Sequence, residues 1–146
     1  MDRYLPTKVL LVDDEEEFAR LLARRLETRG MKVTAAACGE EAVALVEKQR
    51  FDVAVVDLSM PGIDGIETLK QIRGRRPNLK VLMLTGHATV AGGIEAMKQG
   101  ADDFLQKPVA MDELLEKIKT ARQSRLTALH RKADAEMQEI LKRKAW

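Results

Sequence analysis

Cysteine is all but missing from this chain of 146 residues, where Cys38 stands alone. A single thiol excludes an internal disulfide framework and suits a reducing compartment. It follows a short strand-like stretch and reads as a small buried or half-buried side chain rather than a reactive thiol. Aromatic residues make up only 3% of the chain, so the core must be built from Leu, Val, Ile, Ala and Met. No apolar run approaches the ~20 residues needed to span a bilayer, and no apolar stretch behind a basic region marks a secretory leader. A cytoplasmic protein without membrane insertion is expected.

What is present suits one ordinary domain with a short appendage. The chain is 45% hydrophobic and 33% charged, as a globular protein with a real core requires. Its net charge of +2 conceals an asymmetry. Residues 119–146 hold eight basic and three acidic groups, and residues 1–118 the other 17 basic and 20 acidic ones. An acidic body therefore carries a basic tail, and the two are best read separately.

Along the chain, short apolar runs alternate with longer amphipathic ones. Strands are predicted at 9–12, 32–37, 53–56, 80–84 and 103–106. Helical spacing of Phe18, Leu21, Leu22 and Leu26 ends at Gly30, and Ala42, Leu45 and Val46 share a face of a helix over 40–49. A Pro- and Gly-containing loop over 59–65 precedes a helix presenting Ile66, Leu69 and Ile72. The next helix, over 89–99, is weakened by Gly92 and Gly93 at about 1 kcal/mol each relative to Ala. A last helix opens at 111–121. Five strand–helix units with continuously apolar strands predict an α/β fold: a doubly wound, five-stranded parallel sheet in the order 2-1-3-4-5, flanked by five helices. A C-terminal helical extension follows.

In such a sheet ligands lie beyond the carboxyl ends of the strands, where the strand order reverses. Asp13 and Asp14 end the first strand, Asp57 the third, Thr85 the fourth and Lys107 the fifth. Each has an ordinary explanation taken singly: an Asp after a strand is often a helix cap, and a Lys before Pro is usually a solvated loop charge. Ordinary explanations do not account for all of them falling on one rim. Three neighbouring carboxylates, each with an unperturbed pKa near ~4, repel one another at neutral pH. Lys107 supplies one compensating charge and a hard divalent cation would supply the rest. No His or Cys accompanies the cluster, so Mg²⁺ (or Mn²⁺) fits the oxygen donors and Zn²⁺ does not.

These residues are similar to the receiver domain of response regulators in bacterial two-component signalling. Val12-Asp13-Asp14-Glu15, the run from Val56 to Gly65, Leu84-Thr85-Gly86-His87 and Lys107-Pro108 carry the resemblance, in the family's order, over residues 7–122. The stretches 86–89 and 100–104 are similar to receivers that precede σ54-activating ATPase domains. The resemblance implies that Asp57 takes a phosphoryl group from a phosphohistidine on a sensor kinase or phosphotransfer protein. It implies Mg²⁺ held by Asp13, Asp14, Asp57 and the main-chain carbonyl of Ser59, and assistance from Thr85 and Lys107. It implies a cis peptide at Lys107-Pro108, a switch pairing Thr85 with Phe104, and a phosphoryl lifetime set beside Ser59 and His87. Phe104 could equally be core filler, and His87 either a base for hydrolysis or a solvent-facing loop residue. The chain would then be a signalling phosphoacceptor, not an enzyme, that assists its own phosphotransfer and autodephosphorylation.

The receiver is assigned to 1–122 and a basic helical extension to 123–146. Residues 111–144 could form one long helix, in which Leu115, Ile118, Leu126, Leu129, Ala133, Met137, Ile140 and Leu141 form an apolar stripe that Arg122 and Arg125 interrupt. Such a stripe suits either a helix pair between two chains or an amphipathic extension of one. The tail does not suit nucleic acid, because it has no helix-turn-helix and aromatic residues are absent from 105 to 145. The downstream partner would be a protein. Competing readings are a piece of a longer regulator, a receiver-shaped scaffold that is not phosphorylated, and a haloacid-dehalogenase-like phosphatase. That last class requires a second Asp two residues after its nucleophile, where this chain has Ser59.

Overall fold

The computed structural model describes residues 6–60, 62–86 and 90–144, with the side chains of 90 and 91 omitted. The elements follow the order β1 (Lys8–Val12), α1 (Glu16–Glu27), β2 (Lys32–Ala36), α2 (Gly39–Lys48), β3 (Val53–Asp57), α3 (Gly65–Arg75), β4 (Lys80–Thr85), α4 (Val90–Lys98), β5 (Asp103–Gln106) and α5 (Met111–Lys144). All strand pairs are parallel, in the order β2-β1-β3-β4-β5.

The apolar runs form strands because successive side chains enter two different cores. Leu10 and Val12, Ala54 and Val56, and Val81 and Met83 point to one face, where Ala42 and Val46 of α2, Leu69 and Ile72 of α3 and Ala96 of α4 cover them. Val9 and Leu11, Val53 and Val55, and Leu82 and Leu84 point to the other face, beneath Leu22 and Leu26 of α1 and Leu114 and Ile118 of α5. Every residue of β3 is buried, Asp57 included. At roughly 1.5–3 kcal/mol per fully buried large aliphatic side chain, this double burial fixes the register.

β3 and β4 each run one residue past their predicted apolar runs, to Asp57 and Thr85, because both residues are still paired in the ladder. Gly92 and Gly93 do not break α4, which packs on β4 and β5. Thr89, predicted to open that helix, lies outside the described residues. Cys38 is half-buried at the N-cap of α2 and makes no side-chain cap. The edge of the sheet is fastened by Arg73, which donates to the Gly100 carbonyl at 2.7 Å and the Asp102 carboxylate at 2.6 Å, and also to the Leu79 carbonyl.

α5 continues without a break through 34 residues, about 50 Å at 1.5 Å per residue. Its middle is tied to the amino ends of the strands. Arg122 donates to Thr7 Oγ1 at 3.0 Å, and Arg125 pairs with Asp52 at 3.1 Å. Beyond residue 130 the helix is exposed, with Met137, Ile140 and Leu141 of the stripe facing solvent. Among the described residues no helix is long and apolar enough to cross a membrane.

Two glycines of α3 should respond to substitution with opposite signs. A Cβ on Gly65 would lie 2.4 Å from the Asp57 carbonyl oxygen and 2.6 Å from Leu58 Cα, both main-chain atoms that cannot move aside. A Cβ on Gly74 would meet nothing within 4 Å. Gly65→Ala is expected to lose about 2–4 kcal/mol in urea unfolding, and Gly74→Ala to gain about 0.5–1 kcal/mol. A Gly65→Ala protein as stable as wild type would contradict the close approach.

Candidate functional site

The acidic cluster forms because two paired strands, β1 and β3, stop at the same rim. Asp13 leaves β1 and its N–H donates to the Ala36 carbonyl at the end of β2. Its Oδ1 accepts the N–H of Glu15 at 2.9 Å, which turns the chain into α1. Asp57 closes β3, and its Oδ1 accepts the Ser59 N–H at 3.2 Å. Leu58 N–H donates to the Leu84 carbonyl, and Gly65 N–H to the Leu58 carbonyl, so the loop after Asp57 is held at both ends. Asp13 and Asp57 are buried and Asp14 is exposed, yet one carboxylate oxygen from each lies within 4.8 Å of the others.

Lys107 reaches this cluster from the end of β5. Its N–H donates to the Thr85 carbonyl at 2.8 Å, and the peptide to Pro108 is cis. The ammonium Nζ stands 2.8 Å from Asp13 Oδ2, 3.1 Å from Glu15 Oε1 and 3.6 Å from Asp57 Oδ2. It also lies over the Phe18 ring, 4.4 Å from the centroid, a cation–π arrangement. The Thr85 side chain is buried at the same rim.

The electrostatics follow from burial and crowding. Burial pushes the Asp57 carboxyl up from an ordinary 3.8 to about 6; the charges of Asp13 and Asp14 push the same way. The Ser59 N–H and the Lys107 ammonium oppose them without prevailing. Burial alone would lower Lys107, but contacts with Asp13 and Glu15 and the charge of Asp57 outweigh it, so its pKa rises and the ammonium persists.

One ammonium does not neutralise three carboxylates. Asp13 Oδ2 is buried and accepts no aligned hydrogen bond, its contact with Lys107 being an ion pair only. An all-oxygen donor set of three carboxylates, incompletely neutralised by one ammonium, fits a hard divalent cation coordinated by carboxylates.

The structure brings Asp13, Asp14, Asp57, Thr85 and Lys107 to one rim, with Ser59 hydrogen-bonded at its edge. Phe104 is not core filler: its side chain is half exposed and its ring lies beside Gly93, where a Cβ would be 3.3 Å away. The missing Cβ leaves a seat for the ring against α4. His87 lies outside the described residues. Two residues at the site had received no role from the sequence. Glu15 follows the acidic pair and Phe18 lies in a helical stripe, and both contact Lys107, about 90 residues away in the chain. No local pattern marks such a contact, and the strand order places β5 three strands from β1.

A family model described as response regulator receiver domain matches residues 9–119. Response regulator MprA of Mycolicibacterium vanbaalenii is 36% identical over 115 residues, covering 79% of this chain and 50% of that protein. The transcriptional regulatory protein TcrA of Mycobacterium tuberculosis is 40% identical over 112 residues, covering 77% and 44%. The chain thus spans about half the length of the curated relatives it matches. Among solved structures, the CheY-like receiver domain protein from Methanospirillum hungatei superposes with a TM-score of 0.80 at 32% identity, over 84% of this chain and 98% of that one.

The raised Asp57 pKa fixes the sign of a stability effect. The folded, metal-free protein holds this proton more tightly than the unfolded chain does. Asp57 therefore costs the fold about 2–3 kcal/mol above pH ~6, a penalty that fades as pH falls toward ~4. Asp57→Asn should be more stable than wild type at pH 7.5 in EDTA, by about 2 kcal/mol in urea unfolding, with the gain vanishing near pH 4. A variant of equal or lower stability at pH 7.5 would refute this electrostatic reading.

Proposed function

The chain belongs to the response regulator receiver domain family, and from that membership we propose that Asp57 is its phosphoryl acceptor. The donor is a phosphohistidine on a sensor histidine kinase or phosphotransfer protein. The observation that carries the reading is the convergence of Lys107 on Asp13 and Asp57 at a single strand-end rim. An Asp57 carboxylate oxygen attacks phosphorus as the bond from phosphorus to the imidazole nitrogen breaks, and the acyl phosphate remains on the protein. A carboxylate attacks without a general base; with Asp57 pushed up to about 6, the ionised form predominates at neutral pH.

The protein's own contribution is placement and charge. The Lys107 ammonium, held by Asp13 and Glu15, offers a compact cation to the transferred oxygens, whose negative charge spreads during transfer. The Thr85 hydroxyl donates to a phosphoryl oxygen. Asp13, Asp14, Asp57 and the Ser59 main-chain carbonyl would hold Mg²⁺ or Mn²⁺. When bound, the ion neutralises carboxylate charge and stabilises the equatorial oxygens. By the family resemblance, Ser59 and His87, two residues after Asp57 and Thr85 in sequence, would set the lifetime of the acyl phosphate against hydrolysis. Autodephosphorylation thus belongs to the same site, and the protein acts as a switch rather than as an enzyme on a separate substrate.

Thr85 shifting toward the phosphoryl group frees the space into which Phe104 turns, leaving its seat beside Gly93. The altered surface comprises α4, β5 and α5 and is read by a downstream protein. We assign the receiver to residues 1–122 and treat 123–146 as a basic helical extension, in the cytoplasm with its kinase. The exposed Met137, Ile140 and Leu141 favour pairing of that extension with a second copy.

Intact-protein mass after incubation with acetyl phosphate tests the assignment. Wild type with Mg²⁺ should gain one phosphoryl group, Asp57→Asn none, and Lys107→Ala should react about 100-fold more slowly. Equal labelling of Asp57→Asn would move the acceptor elsewhere, and no labelling under any condition would leave a receiver-shaped scaffold.

A further inference from the structure

The opposite end of the sheet carries a second concentration of charge, positive and unrelated to the acidic rim. Three segments meet below the amino ends of the strands: the connection from α2 to β3, the connection from α3 to β4, and the part of α5 beyond residue 122. They enclose a groove of about 300 Å³ lined by Arg50, Arg75, Arg76, Arg125 and Lys132, with Asn78 and with no acidic side chain. Arg125 keeps α5 in place through Asp52, which also accepts the Lys8 N–H, so this wall is anchored to β1 and β3.

Ordinary structural roles account for part of this charge. Arg75 lies in the last turn of α3, where a cation complements the helix dipole, and pairs with Glu47. Arg76 donates from Nε to the Val46 carbonyl at 2.8 Å, capping the end of α2. The remainder is unexplained. Arg50 and Lys132 have no ion-pair or hydrogen-bond partner among the described residues. The terminal amino groups of Arg76 also have none there, and Arg125 Nε is buried without an acceptor. Glu47 and Asp52 offset two of the five cations. The carboxyl ends of α2 and α3 together contribute about one further negative charge. A surplus of about two positive charges therefore stands around a groove of ligand size.

We propose that this groove binds a phosphate-bearing anion of pyrophosphate or nucleotide size. Guanidinium forks match phosphate oxygens two at a time, and the surplus charge matches a dianion. The site is independent of Asp57, because it lies at the far end of the strands. Occupancy would tighten α5 against the domain, since Arg125 and Lys132 on the helix face Arg50 and Arg76 on the body across the groove.

Calorimetric titration of the full chain, in Mg²⁺-free buffer at physiological salt, tests this with pyrophosphate, ADP and a single-stranded oligonucleotide as separate probes. Pyrophosphate or ADP should bind and raise Tm, equally in wild type and Asp57→Asn. The Arg50→Gln/Lys132→Gln double variant removes two side chains without protein partners, so its fold should be unchanged by circular dichroism. Its binding should weaken about tenfold or more. No binding of pyrophosphate or ADP, or binding that the double variant leaves intact, would overturn the proposal. So would tight binding of the oligonucleotide alone with a steep salt dependence, because the ligand would then be a nucleic-acid backbone.

Discussion

A parallel sheet covered by helices on both faces has no room for polar side chains along its strands, so polarity is forced to the strand ends. β3 shows the constraint at full strength. Four apolar residues are buried between two cores, and the fifth is Asp57, still paired in the ladder and almost wholly enclosed. A carboxylate in that position is tolerable only where the chain also delivers compensating charge, and the neighbouring strands end at the same level. Asp13 and Asp14 from β1 worsen the repulsion, while Lys107 from β5 relieves part of it. The residual imbalance suits the site to a cation and a transferable anion.

The same constraint explains which features could be read from the sequence. Alternation of short apolar runs with amphipathic stretches specifies strand number, parallel pairing and layer arrangement, because each is a consequence of burying both faces. Given that topology, Asp13, Asp57, Thr85 and Lys107 converge wherever their loops go, so the rim is legible in the sequence. Contacts created by loop paths were not legible. Glu15 and Phe18 meet Lys107 across the rim although β5 lies three strands from β1, and no spacing rule records that.

Phe104 shows the limit in another way. From sequence it was either an aromatic reporter or a core residue, since an aromatic side chain on a short strand suits both. The two glycines of α4 were read only as a weakness in a helix. In the structure the two features meet: the absent side chain at Gly93 makes space for a half-exposed ring, and α4 remains helical around it.

The tail was the least legible segment, because its pattern contains two demands that conflict in sequence but separate in space. Arg122 and Arg125 interrupt the apolar stripe, which argues against a helix seam. Their partners, Thr7 and Asp52, lie on the body of the domain, so that portion of α5 answers to intramolecular contacts and only the portion beyond residue 130 is open to others. One continuous helix thus does two jobs in succession. Its first half is held by an apolar core above and ion pairs below, and its second half carries the remaining stripe into solvent. The clamp at Arg125 sits at the amino end of β3, the strand that ends in Asp57. The basic end of the molecule and the acidic rim thus lie at opposite ends of one fully buried strand.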